Sequence, residues 1–265
     1  MSVRFGISAL LPEQLSQLPA KLPQVLSAVE FPGGMLDTTA GIQKLTQLRK
    51  NNVLLWGREF ISPEIAALIP SENCKLRAEL EIHFQKRCVQ AAELGVKHFS
   101  VAFDLFQAVA DGRYREQLSR FLRRCAGVIH PLDQTLLTVC RIPGGGTFDR
   151  WEELLKFRRD LLCPGIGLLL EFHPHEPGAP EIINKALQVF RLHDTCRRIC
   201  YDSGVGNTLT PAALKRCSET KAIGLEQDMV IFLNSGNGKI DSGKVAEFEM
   251  LVKSFSPETE GTNEP

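Results

Sequence analysis

Short apolar runs recur along this chain, and between them the apolar positions spread out to the spacing of an amphipathic helix. The runs are 3–9, 24–31, 53–61, 96–104, 135–142, 166–173, 198–202 and 224–234. They are rich in Val, Ile, Leu and Phe and are bounded by Gly, Pro or Asn, the composition of strands. Several are continuously apolar rather than alternating, which points to strands buried on both faces, as in a parallel sheet. The clearest intervening helix covers 71–95, with Leu76, Leu80, Phe84, Cys88 and Ala92 at four-residue intervals. Ser71 reads as its N-cap and Gly95 as the glycine that closes it. Asp149-Arg-Trp-Glu152 resembles a capping box, with Asp149 as the cap of a helix running to about Leu162. A helix from Pro180 or Glu181 runs to about His193, Pro211 suits a first-turn position, and 241–255 forms a last amphipathic helix.

Strand and helix alternating in this way predict an α/β protein, a single (β/α)8 TIM barrel of parallel strands over residues 1–255. The remaining polar stretch, 256–265, reads as a disordered tail. The 265 residues suit a barrel, which needs about 250. No Gly-x-Gly-x-x-Gly follows the first strand, which weakens a dinucleotide-binding alternative.

Charge narrows the partners. Lys plus Arg and Asp plus Glu both number 31, so the formal net charge is zero. Such a balance argues against a nucleic-acid binder or an anionic-membrane binder that relies on a basic face, though not against a local basic pocket. The eight Cys are scattered without a CxxC pair, mostly inside apolar periodic segments. They read as reduced core thiols in a cytoplasmic protein. The first residues lack the pattern of a signal peptide, and no apolar stretch approaches the ~20 residues of a membrane span. A small molecule is the expected partner, with a homo-oligomer left open.

Barrel sites collect at the C-terminal ends of strands. The ionisable residues there are Glu30, Arg58 with Glu59, Asp104, Arg141, Glu171 with His173 and His175, Asp202, and Glu226 with Asp228. Alternation puts Glu171 and His173 on one face, within reach of one ion or one substrate. Carboxylates crowded at one mouth repel unless a cation or a proton intervenes. One reading is a divalent metal (Mn, Zn, Mg or Co) held by carboxylate and imidazole; the other is a set of carboxylates paired with Arg58 and Arg141. Three glycine-rich turns, 144–147, 203–207 and 235–239, lie on the same side. They read as tight turns first and as a phosphate cradle second, with Lys239 as the counter-charge.

Several short motifs resemble the xylose-isomerase-like barrels, a superfamily of sugar isomerases, sugar-phosphate epimerases and endonuclease IV. They are Phe5-Gly-Ile-Ser8, Val29-Glu30-Phe31, Ala91-Ala-Glu-Leu-Gly-Val-Lys97, Leu-Leu-Glu171-Phe-His173, Tyr-Asp202-Ser-Gly and Gly236-Asn-Gly-Lys-Ile-Asp241. The resemblance implies a metal-dependent isomerase or epimerase acting on a sugar-like substrate by proton transfer. Carried over, Glu171 is a ligand glutamate, Asp202 the ligand aspartate and Glu226 the next strand's ligand, with His173 beside them and Glu30 and Glu171 as acid/base groups. Strand count departs from the pattern: the resemblance expects the first ligand glutamate on strand five, where this chain has Arg141. A barrel that binds a small ligand or a protein without catalysis is the alternative. A DNA-repair role needs several zinc-binding histidines and a basic face, and the chain has neither.

Overall fold

Strand pairs with strand in chain order, and the last pairs with the first. In this computed structural model β1 (Val3–Ser8), β2 (Ala28–Pro32), β3 (Leu54–Arg58), β4 (His98–Val101), β5 (Thr135–Ile142), β6 (Ile166–Phe172), β7 (Cys196–Asp202) and β8 (Met229–Asn234) form a closed parallel barrel. The structure describes residues 3–9, 11–19, 22–23, 26–66, 68–69, 73–103, 105–142, 148–173, 179–189, 196–202, 229–234 and 242–255. Closure runs from Val3↔Met229 to Ser8↔Asn234, and β8 continues onto β7 from Arg197↔Met229 to Asp202↔Asn234. The predicted (β/α)8 architecture is the observed one.

The described helices are α1 (Pro12–Gln17), α2 (Thr39–Lys50), α3 (Pro63–Ala66), α4 (Cys74–Glu93), α5 (Leu105–Ala110), α6 (Gly112–Ile129), α7 (Phe148–Leu161), α8 (Ala179–Val189) and α9 (Ser242–Phe255). A 3-10 turn, Gly33–Asp37, follows β2, and another, His130–Leu132, follows α6. Strand alternation sorts the core into two layers. Ala28, Trp56, Leu137 and Leu169, with Leu54 and Val139 against them, plug the barrel interior. The residues between them, such as Val29, Leu55, Leu168 and Leu170, pack outward under the helices. Each fully buried aliphatic side chain contributes about 2 kcal/mol. Both faces of the sheet are therefore apolar, which is why the strands read as unbroken runs.

Two helix starts differ from the sequence reading. α4 begins at Cys74, because Asn73 Oδ1 accepts from the backbone N–H groups of Lys75 and Leu76 at 3.1 and 3.2 Å. Asn73 rather than Ser71 is thus the cap, satisfying two of the helix's orphan donors. α7 begins at Phe148, so Asp149 lies inside the first turn and is not the cap. An acidic residue is favoured there by the helix dipole, which is what a capping-box pattern cannot distinguish. Gly95 does close α4, at φ +71. The buried stripe of α4 passes through Leu80, Phe84 and Cys88 but then takes Ala91 rather than Ala92. Four-residue steps overshoot a 3.6-residue turn, so the stripe must slip back by one. The predicted tail 256–265, Pro211 and the helix end at 190–193 lie outside the described residues.

Candidate active site

On β1, β2, β3 and β6 an inward position near the C-terminal end carries a polar residue. Ser8 ends β1, Glu30 follows Ala28 on β2, Arg58 follows Trp56 on β3, and Glu171 follows Leu169 on β6. Glu30 is fully buried and Glu171 is 6% exposed. Strands two and six stand opposite each other in an eight-stranded ring, so the two carboxylates face one another across the C-terminal mouth. Arg58 reaches both, with Nη1 3.5 Å from Glu30 Oε2 and Nη2 3.7 Å from Glu171 Oε2. Ser8 Oγ donates to Glu30 Oε2 at 2.5 Å. On the far side, His173 Nε2 lies 2.8 Å from Glu171 Oε1, and its ring is 8% exposed. Alternation thus places Glu171 and His173 together as expected.

Arg141, the last residue but one of β5, is the register partner of Glu171 and is exposed. Glu59 is exposed and opens the turn after β3 at φ +46, so it does not join the network. Asp202 ends β7, paired in register with Asn234, which in turn pairs with Ser8. Asp104, His175, Glu226, Asp228, Lys239 and the three glycine-rich turns lie outside the described residues, as does the Asp202 side chain. Among the described residues, no three His, Cys, Asp or Glu side chains gather as a ligand set. No described helix is long and apolar enough to cross a membrane.

Two participants escaped the sequence reading. Ser8 stands at the end of an apolar strand and becomes meaningful only once β1 pairs with β2, Ser8 opposite Glu30. Arg87 of α4 is buried, donating from Nη1 to the Phe60 carbonyl and from Nε to Asp37 Oδ1 at 3.3 Å, with Nη2 on Asp37 Oδ2. It ties the turn after β3, and so the base of Arg58, to the turn after β2. A charged residue inside an otherwise buried helical stripe was the available signal. The same junction is tight: a Cβ on Gly33 would meet the Phe60 Cα at 2.8 Å. Among the described cysteines, Cys88, Cys125 and Cys140 are buried free thiols, as expected of core residues, while Cys74 is exposed. Burial pushes the Cys140 thiol up to about 12, which removes it as a nucleophile.

Neither a protein-family model nor a curated protein matches the chain. Solved structures do match. A D-tagatose 3-epimerase-like protein superposes with a TM-score of 0.63 at 16% identity, covering 95% of this chain and 96% of the other. A D-psicose 3-epimerase from Clostridium cellulolyticum H10, solved with D-tagatose, gives 0.60 at 13% identity over 95% of each chain. An AP endonuclease, family 2, from Brucella melitensis gives 0.62 at 15% identity, covering 93% of this chain and 98% of the other. The shared feature is the fold, an α/β TIM barrel. Epimerases and an endonuclease share this barrel, so its chemistry has to be read from its mouth. In the strand order, Arg141 is the last residue but one of β5, and Glu171 belongs to β6. Arg141 thus stands on strand five, where the resemblance implies a ligand glutamate.

Proposed function

We propose that this barrel is a sugar or sugar-phosphate isomerase or epimerase that moves a proton at the C-terminal mouth. The observation that carries the reading is the opposed pair Glu30 and Glu171, buried, facing each other and joined by one guanidinium. A carbon acid held between two carboxylates can lose a proton to one and regain it from the other, on the same or the opposite face. The resemblance of the fold to sugar epimerases supports a small polyhydroxylated substrate. Arg58, Arg141 and Lys239 are the groups we assign to its hydroxyl, carbonyl or phosphate oxygens. Ser8 holds one oxygen of Glu30, and His173 holds one oxygen of Glu171, so each carboxylate is fixed in orientation.

Glu171 and His173 also suit a divalent metal. Their donor atoms are 2.8 Å apart, close to the separation of neighbouring ligands around an ion with bonds of about 2.1 Å. Asp202 and Glu226 are the further ligands we assign. Bound there, the metal would polarise a substrate carbonyl or hydroxyl as a Lewis acid.

The alternative, a barrel that binds without turnover, is favoured by one feature: Arg58 already compensates both glutamates. Solvent-deuterium incorporation separates the two. In D2O, with and without MnCl2, a panel of ketoses and sugar phosphates is followed by NMR. Exchange at one carbon is expected, reduced at least about a hundredfold in Glu171→Gln and in Glu30→Gln, the scale of a lost general base. No exchange with any substrate would leave the binding reading.

A further inference from the structure

We infer that Arg58 is a resident cation that competes with a divalent ion for Glu171, so that the arginine bridge and metal loading are alternative states of one mouth. The inference rests on the metal part of the proposed function. In the bridged state both oxygens of Glu171 are engaged, Oε2 by Arg58 at 3.7 Å and Oε1 by His173 at 2.8 Å. For an ion to take Glu171 and His173, Nε2 must give up the proton it donates to the carboxylate, leaving it on Nδ1 or in solvent, and turn the lone pair so freed to the metal. The ion's charge then lies within a few ångströms of the guanidinium, among glutamates whose side chains are only 1% and 8% exposed. Water screens such repulsion poorly, so the two cations compete for Glu171.

Geometry shows which one is free to go. Arg58 stands at 3.5 and 3.7 Å from its partners, ion-pair separations too long for strong hydrogen bonds, and its side chain is 20% exposed. Arg87 is the contrast. It is locked by hydrogen bonds to Asp37 and to the Phe60 carbonyl and has no slack. One arginine is a clamp and the other is suspended between charges, on the end of the strand that the clamp holds still. Loading a metal thus frees a guanidinium at the rim, where an oxygen of the substrate can take it.

Mn2+ titration followed by electron paramagnetic resonance of the free ion tests this. Arg58→Gln is expected to bind Mn2+ at least about tenfold more tightly than the native protein, the effect of removing one unscreened like charge. Arg58→Lys, which keeps the charge, stays close to native, and Arg58→Gln with Glu171→Gln loses the gain. A reciprocal measurement needs no variant. Saturating Mn2+ must raise the reactivity of Arg58 toward phenylglyoxal, read by peptide mass spectrometry, since linkage runs both ways. Equal tight Mn2+ binding in native and Arg58→Gln protein, with unchanged Arg58 reactivity, overturns the competition and leaves the metal site standing. A gain that survives in the double variant overturns it too, by placing the ion elsewhere. Absence of Mn2+ binding in all forms overturns both the competition and the metal, while deuterium exchange still decides the acid/base reading.

Discussion

Ser8 and Glu30 show how a site residue gains its role from a neighbour that sequence spacing cannot name. Glu30 was legible, as a carboxylate ending an apolar run. Its partner lies 22 residues away and is brought to it by the β1–β2 register. Both side chains are fully buried, so a change at either has no water to fall back on. Ser8→Ala leaves a buried carboxylate oxygen with one donor fewer. The expected cost is about 1–3 kcal/mol in urea unfolding, the usual range for a buried group stripped of a partner. A change below about 0.5 kcal/mol would show that the hydroxyl does not support Glu30. Arg58 was named in the sequence as one of two arginines for the mouth's carboxylates. That it serves two at once follows from the barrel's closure, which sets β2 and β6 across from each other.

At the level of elements, the strands were easier to read than the helix ends. Continuous apolar runs gave β5 to the residue and β6 to within one, because a strand buried on both faces tolerates no polar interruption. Caps were harder, since Ser71 and Asn73, or Phe148 and Asp149, offer neighbouring starts and local packing picks one. The end of α7 carries a further consequence. Leu162 follows the helix at φ +49 and is 84% exposed, an apolar side chain in the left-handed region with nothing to gain by burial. Glycine takes that conformation without the Cβ clash that costs other residues roughly 1 kcal/mol. Leu162→Gly is therefore expected to raise the unfolding free energy by about 0.5–1 kcal/mol, with no effect on the mouth at the opposite end of the barrel. Loss of stability in that variant would mean the Leu162 side chain packs in solution.

The clamp around Arg87 belongs to the whole molecule, because it joins α4, the turn after β2 and the turn after β3. Its charge states then govern stability against pH. Burial raises the Asp37 carboxyl, but the hydrogen bond and charge of Arg87, helped by His83 and Lys86, outweigh this and leave it below the ordinary carboxylate value. The unfolded chain takes up the Asp37 proton first, so this stabilisation is present above the unfolded value and is lost as pH falls below about 4. His83 is shifted down by burial and then by the Arg87 and Lys86 charges, against an opposing pull from Asp37. The folded histidine therefore stays neutral while the unfolded one protonates, and stability declines as pH drops below about 6.5. Two limbs are expected in urea midpoints measured from pH 8 to pH 3. His83→Gln should flatten the upper limb alone. Asp37→Asn should be less stable near neutrality, because it weakens the hold on Arg87, yet converge on the native curve as pH falls below about 4, where the unfolded chain gains the Asp37 proton first and the native carboxyl only at lower pH. Curves for native protein and Asp37→Asn that stay parallel across the acid range would show that the Asp37 charge does not contribute to holding these three elements together.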